Sequence, residues 1–212
     1  MNAHVKRKLK KIIAPIRRIG LKNKDFTIIS NNCWGGYIYD RYGLQYRTPT
    51  IGGILYPEDY IKFISRLPYY LSIEMKQITV QESKYRDLLI EKSRNMVGRI
   101  DDIEVIFIHY SSIEDAVRKW NKRRKRVNYN NILFKFNDQN NFIDKCYDDF
   151  IDLKFKNKIF FTSNKNYITR DYCYFIKEFE DKGFAVDDLK ASKGIVDYKK
   201  LLNSLQREEN IK

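Results

Sequence analysis

The 212-residue sequence has few of the features that mark a membrane, secreted or metal-binding protein. No segment approaches the roughly 20 consecutive apolar residues of a membrane-spanning helix, and no apolar run follows the N-terminal charges as in a signal peptide. The three cysteines (Cys33, Cys146 and Cys173) are odd in number and lack zinc-site spacing. We therefore expect a reducing compartment, no metal, and a cytoplasmic protein that can lie peripherally on the inner membrane face.

Several catalytic and nucleotide-binding motifs are also missing. The sequence contains no GxxxxGKS or GxxxxGKT phosphate loop, no GxGxxG after a strand, no GxSxG elbow and no HExxH zinc motif. These absences exclude a P-loop enzyme and give no support to dinucleotide, serine-hydrolase or zinc-protease chemistry. Aromatic residues do not interleave with the basic runs, so nucleic-acid binding is not expected.

The composition is that of a folded protein, with 43% hydrophobic and 15% aromatic residues. The net charge of +14 is concentrated in two segments. Residues 1–24 contain nine Lys or Arg and no acid, and residues 118–126 contain seven more and no acid. Because the rest of the chain is close to neutral, the basicity is local.

Residues 1–24 are predicted to form a basic N-terminal arm or helix. Within residues 3–19, aliphatic side chains recur at helical spacing at Val5, Leu9, Ile12, Ile13, Ile16 and Ile19. Such a helix can bind an anionic membrane surface. A frayed arm and a helix packed on its own domain are the alternatives, with nucleic-acid binding a less favoured third. Pro15 predicts a kink.

The remaining chain, residues 25–212, alternates apolar runs with helical patterns. Predicted strands cover 26–30, 51–56, 75–80, 104–109, 132–136 and 158–162. Predicted helices cover 57–72, broken at Pro68, then 112–126, 142–153 and 198–206. This alternation predicts a single-domain α/β fold with a mainly parallel sheet flanked by helices.

Polar residues follow four of the predicted strands. They are Asn31-Asn32-Cys33, His109-Tyr110-Ser111, Asn137-Asp138 and Thr162-Ser163-Asn164. In an open parallel sheet, ligands bind beyond the carboxyl ends of the strands. We therefore expect the functional site at this edge of the sheet.

The segment Asn31–Gly36 is the densest group of unusual residues. Gly35 and Gly36 would allow a tight turn with close backbone approach. If that turn leads into a helix N-terminus, Cys33 is expected to have a lowered pKa and to act as a nucleophile. Alternatively, Cys33 is a small buried side chain, and Asn31 and Asn32 satisfy backbone groups of the turn.

His109 and the basic helix provide further candidates. His109 ends an apolar strand, which suits a general base, although a satisfied polar group is equally common there. Arg123, Arg124 and Arg126 can recognise phosphate, or they can be a solvated helix end. Trp120 lies in the predicted helix 112–126, and we expect its side chain to pack in the core rather than to stack on a ligand.

The sequence resembles a bacterial family of unknown function often labelled exopolysaccharide biosynthesis proteins. The resemblance rests on residues 26–52, 57–71, 103–128 and 158–163, with the ordered patterns NNCWGG, HY and KWxxRxxR. It implies a cytoplasmic protein of a capsule or exopolysaccharide locus. It also implies site positions at Asn31, Asn32, Cys33, Gly35, Gly36, His109, Tyr110, Trp120 and Arg123.

These observations lead to a transferase as the principal hypothesis, adding an acyl group to a sugar or lipid-linked intermediate. His109 would remove the hydroxyl proton, backbone N–H groups of Asn31–Gly36 would stabilise an oxyanion or phosphate, and Arg123 and Arg126 would bind a diphosphate. Acetyl-CoA is the candidate donor. The alternatives are a glycosyl or phosphosugar transferase and a non-catalytic partner that binds a glycan or lipid carrier. A pocket joining Cys33, His109 and an arginine would favour an enzyme.

Overall fold

The computed structural model describes residues 12–90, 96–209 and 211. The strands in these ranges are β1 (Thr27–Ser30), β2 (Gly53–Ile54), β3 (Lys76–Ile78), β4 (Met96–Ile100), β5 (Ile103–Phe107), β6 (Ile132–Asn137), β7 (Lys158–Thr162) and β8 (Cys173–Phe175). The helices are α1 (residues 12–18), α2 (Trp34–Tyr42), α3 (Pro57–Ser65), α4 (Leu67–Ser72), α5 (Arg86–Leu89), α6 (Ile113–Arg124), α7 (Asp144–Asp152), α8 (Asp188–Ile195) and α9 (Tyr198–Asn203). Short 3-10 turns cover Lys165–Tyr167 and Lys177–Lys182.

One sheet is parallel throughout, with the strand order β1-β6-β7-β8. The strands β1, β6 and β7 are buried on both faces, as continuous apolar runs predict. Ile28 and Leu133 pack on one face, whereas Ile29 and Phe134 pack on the other. The α/β class and a parallel sheet are therefore confirmed.

The second sheet is antiparallel, with the order β2-β5-β4-β3. The expectation of one mainly parallel sheet is wrong for these strands, which include β5, the clearest buried strand of the sequence. Only Asp101 and Asp102 separate β4 from β5, and so short a link can form a hairpin but not a parallel crossover. Asp101 adopts a φ of 53°, the left-handed conformation that this turn needs.

The parallel sheet is the central layer of the molecule. A large core lies between the two sheets and is built from both of them together with α3, α4, α6 and α7. A second core lies on the other face of the parallel sheet, beneath α2, α8 and α9. A single domain remains a prediction, although one core is shared by both sheets.

Several local predictions are confirmed. Pro57 is the first residue of α3, and the break before Pro68 separates α3 from α4. The Ser112 hydroxyl caps α6 by accepting a hydrogen bond from the Asp115 N–H, at 3.2 Å. The helices α2, α5 and α8 and the strands β4 and β8 are absent from the sequence-based prediction.

The N-terminal helix α1 packs on its own domain. Ala14 and Leu21 are buried, and residues 12–18 are helical through Pro15, so the proline does not end the helix. Val5 and Leu9, which were predicted to extend the apolar stripe, lie outside the described residues. None of the described helices is long and apolar enough to cross a membrane.

Candidate functional site

The polar residues that follow β1 and β6 meet in a buried cluster, as parallel strands predict. Asn31 Nδ2 donates to Asn137 Oδ1 at 2.7 Å, and Asn137 Nδ2 donates to Asp188 Oδ2 at 2.7 Å. Asn32 Nδ2 donates to both carboxylate oxygens of Asp188, at 3.1 Å each. The edge of the sheet is therefore tied to Asp188 at the start of α8.

An ion pair between Lys135 and Asp188 lies at the centre of this cluster, and both side chains are buried. Lys135 Nζ also donates to Asn31 Oδ1 at 3.2 Å and to Asn32 Oδ1 at 3.0 Å. Burial lowers the pKa of Lys135, and the Asp188 carboxylate opposes that shift. The signal was visible in the sequence, because Lys135 interrupts the otherwise apolar strand ILFKF.

Helix α2 begins beside this cluster, where a tight turn had been expected. Asn32 Oδ1 accepts the Trp34 N–H at 3.1 Å, and Gly35 and Gly36 lie in the first turn of the helix. A Cβ at Gly35 would lie 3.1 Å from Ile28 Cγ2. Gly35 therefore allows α2 to pack closely on β1, Gly36 lies against Ile51, and neither glycine forms a turn.

Cys33 is the residue preceding α2, and its thiol is partly buried. Burial raises the pKa of this thiol, while a hydrogen bond from the Gly52 backbone and the charge of Lys135 act in the opposite direction. The lowered pKa expected for Cys33 at a helix N-terminus is therefore wrong, because desolvation outweighs those stabilising contributions.

This raised pKa predicts slow alkylation of Cys33. At pH 7.5 iodoacetamide should modify Cys33 more slowly than it modifies free cysteine, because the thiolate is the reacting form. The rate should still increase at pH values where free cysteine has reached its plateau. Mass spectrometry of the Cys33 peptide measures this rate, and modification as fast as that of free cysteine would contradict the prediction.

An open cavity of about 390 Å³ lies next to the start of α2. It brings together five of the predicted site residues, which are Cys33, Gly36, His109, Tyr110 and Arg123. The other lining residues are Tyr37, Asp40, Tyr46, Ile51, Gly52, Lys119 and Leu189. The walls therefore come from α2, the loop before β2, the end of β5 and the helices α6 and α8.

Tyr110 and Arg123 form one preorganised wall of this cavity, which is called the larger cavity below. Arg123 Nη1 donates to Tyr110 Oη at 2.7 Å, and Tyr110 Oη donates to the Ile51 carbonyl. The Arg123 guanidinium also lies 4.9 Å from the centre of the Tyr46 ring. Gly52 adopts a φ of +74°, and a Cβ there would lie 2.8 Å from Tyr110 Cε2, so glycine is required for this arrangement.

A smaller cavity of about 190 Å³ shares Cys33, His109 and Leu189 with the larger one. Its lining includes the apolar side chains of Ile54, Ile108 and Val186, of which Ile108 and Val186 are exposed. His109 is exposed at the end of β5 and lines both cavities. The imidazole therefore borders two cavities. Arg123 and Lys119 line the larger one, whereas Asp187 and Asp188 line the smaller one together with its aliphatic side chains.

Other predicted site residues lie elsewhere. Asn31 belongs to the buried cluster, and Asn32 lines only the smaller cavity. Trp120 is buried in the core with its ring centre 5.9 Å from that of Phe63.

Arg126 is not among the residues that line the larger cavity. Its Nη1 donates a hydrogen bond to the Tyr46 carbonyl at 3.3 Å, in the loop before β2. Sequence reasoning missed the cavity residues Tyr37, Asp40, Tyr46 and Lys119. No single pattern in the sequence links these residues, because they come from three parts of the chain, namely α2, the loop before β2 and α6.

Metal coordination has no support in the described ranges, where no group of three or more His, Cys, Asp or Glu side chains is placed to hold an ion. With this geometry in hand, the chain can be compared with known families. The family described as a domain of unknown function, DUF1919, matches residues 4–209. The chain belongs to this family. Both sheets and both cavities lie within the matched residues.

A protein of Haemophilus influenzae described as uncharacterized is similar to this member of DUF1919. The two are 29% identical over 160 residues, which is 76% of this chain and 72% of the Haemophilus protein. The expectation of a family of unknown function is therefore confirmed. The exopolysaccharide or capsule context that the resemblance implied goes beyond membership of this family, and it stays a proposal.

Proposed function

We propose that this protein transfers an acyl group from a thioester to a hydroxyl of a sugar or lipid-linked intermediate in exopolysaccharide or capsule synthesis. The observation that carries the proposal is that His109 lines two cavities that share residues, one with Arg123 in its wall and the other with aliphatic side chains in its wall. A group transfer needs a donor and an acceptor on either side of a proton-accepting group. The polysaccharide context rests on the sequence resemblance described above.

The larger cavity suits a sugar or a sugar diphosphate. Tyr37, Tyr46 and Tyr110 line it with aromatic side chains, which sugars contact well. Arg123 and Lys119 supply positive charge for a phosphate, and the hydrogen bond to Tyr110 uses one of the five N–H donors of Arg123. In this proposal Lys119, rather than Arg126, binds the phosphate together with Arg123.

The reaction follows from this placement. His109 accepts the acceptor hydroxyl proton as the oxygen bonds to the acyl carbon. The carbon–sulfur bond then breaks, the sulfur keeps the electron pair, and the proton passes from His109 to the departing thiol. Gly36 lies in the first turn of α2, where the positive end of the helix dipole is available to an oxyanion.

The raised pKa of Cys33 favours direct transfer over an acyl-cysteine intermediate. In direct transfer, the Cys33 side chain only lines both cavities, and the smaller cavity, with Ile54, Ile108 and Val186 in its wall, receives the acyl group. A CoA thioester such as acetyl-CoA is the donor we propose. CoA thioesters are cytoplasmic compounds, so the reaction belongs on the cytoplasmic side of the membrane.

A thiol-release assay tests this function. The purified chain is mixed with acetyl-CoA and with polysaccharide from a strain that lacks the gene, which supplies acceptor that has not been acylated. We expect free CoA to appear only when both are present, with matching acetate on the polymer. No acceptor-dependent release of CoA would contradict acyl transfer. Consumption of a nucleotide sugar instead would favour a glycosyl or phosphosugar transferase, and polymer binding without turnover would favour a binding partner.

A further inference from the structure

One face of α1 exposes three isoleucines. Ile12 is 68% exposed, Ile16 is 62% exposed, and Ile19, in the turn after the helix, is 71% exposed. With 3.6 residues per turn, positions 12, 16 and 19 fall within an arc of about 60° on one face. Aliphatic side chains that exposed, aligned on one face, form an apolar surface that water solvates poorly.

The opposite face of α1 fixes the helix on the domain. Ala14 is buried against Gly43, where an added Cβ would lie only 2.9 Å from the Ala14 Cβ. After the helix, the Asn203 side chain donates to the Gly20 carbonyl at 2.8 Å and accepts the Lys22 N–H at 2.8 Å. The exposed stripe therefore belongs to a docked helix and not to a free arm.

The N-terminal segment that carries this stripe has charges of one sign in its sequence. Residues 1–24 contain nine Lys or Arg and no Asp or Glu, and the side chains of Lys22 and Lys24 are exposed. An apolar stripe in a segment whose charged residues are all cations is complementary to a surface with a negative outer layer and an apolar interior. A bilayer containing anionic lipids has this combination.

We propose that α1 is a membrane-docking surface, with Ile12, Ile16 and Ile19 inserted among the acyl chains of an anionic bilayer. The cations of residues 1–24 pair with the lipid headgroups. The proposal stands apart from acyl transfer, since it needs no chemistry at the cavities.

This docking also brings the cavities close to the membrane. Gly43, which lies against Ala14, directly follows the last turn of α2, and Cys33 at the other end of α2 lines both cavities. Nine helical residues span about 14 Å at 1.5 Å per residue. A substrate anchored in the bilayer by a lipid chain would therefore have a short path to the site.

Co-sedimentation of the full chain with vesicles tests the surface. Vesicles of phosphatidylglycerol and phosphatidylcholine in equal parts should bind the protein, and vesicles of phosphatidylcholine alone should bind it at least about tenfold more weakly. The triple variant Ile12→Ser, Ile16→Ser, Ile19→Ser should lose about tenfold or more of the binding to anionic vesicles.

Two further variants make the test specific. Ile90, Ile143 and Ile168 are 66%, 46% and 40% exposed and belong to other segments of the chain, so the matched triple serine variant at these positions should bind as the unaltered protein does. Lys22→Glu with Lys24→Glu should weaken binding to anionic vesicles and leave the thermal melting temperature unchanged. Thermal melts monitored by circular dichroism establish that all variants are folded.

Three results would overturn the proposal. The first is equal binding of the two serine triples to anionic vesicles, and the second is equal binding of the unaltered protein to neutral and anionic vesicles. The third is a dimer, seen by light scattering, that the α1 serine triple dissociates while no vesicle binding occurs. In that case the stripe would be an interface between two copies of the chain.

Discussion

Replacing His109 with alanine is expected to lower acceptor-dependent CoA release by about 100-fold or more, since general-base catalysis typically contributes that much. His109 is exposed and lines both cavities, so its removal leaves the core and the buried polar cluster intact. We therefore expect the thermal melting temperature to be unchanged. Loss of turnover together with loss of folding would not count as support, so both quantities are measured on the same preparation.

The matched control for this prediction is Cys33→Ser, which alters the other residue shared by the two cavities. Since burial raises the pKa of Cys33, the serine variant should keep most of the activity. If Cys33→Ser abolished transfer and His109→Ala did not, the roles given to these two residues would be wrong. Mass spectrometry of the intact protein would then be used to look for an acyl-cysteine.

Asp188→Ala is expected to lower the free energy of unfolding by about 3 to 5 kcal/mol, because it leaves the buried charge of Lys135 without its partner. The same substitution removes the acceptor of the Asn32 and Asn137 side-chain amides. Urea unfolding of both proteins, followed by circular dichroism, measures the difference.

A double-mutant cycle separates the ion pair from the rest of the cluster. Lys135→Met combined with Asp188→Ala should be less destabilising than the sum of the single effects, by about 2 kcal/mol, because neither charge is then left alone. Asp149→Ala removes the exposed partner of Lys145 and should cost less than about 1 kcal/mol. Additive effects at Lys135 and Asp188 would contradict the coupling.

The edge of the parallel sheet was predictable from local sequence. β1, β6 and β7 are apolar runs that end in polar residues, and parallel strands necessarily bring their carboxyl ends to one edge. The strand pattern alone was therefore enough to predict that Asn31, Asn32 and Asn137 lie close together at that edge.

The antiparallel sheet was not predictable in the same way. The segment of β4 includes Gly98 and Arg99, which weaken a strand pattern, and the hairpin turn Asp101-Asp102 lacks the glycine that usually marks such a turn. A Cβ at Gly98 would overlap the Met75 sulfur, so this glycine reflects packing between segments that no local pattern shows.

Two parts of the site also depend on long-range contacts. Lys135 is visible in the sequence as a charge inside an apolar strand, but its partner Asp188 lies in a helix that the pattern did not predict. Gly35 and Gly36 favour a turn in the sequence because glycine disfavours helices, and the close contact with Ile28 reverses that preference.

The most direct test of acyl transfer is the mass of the repeat unit of the surface polysaccharide in three strains. These carry the unaltered gene, the His109→Ala allele or the Cys33→Ser allele, with the protein levels matched. We predict that the His109→Ala polymer lacks one small acyl substituent per repeat and that the other two polymers retain it. An unchanged polymer in the His109→Ala strain, with the variant present and folded, would contradict the account, and so would the loss of a sugar.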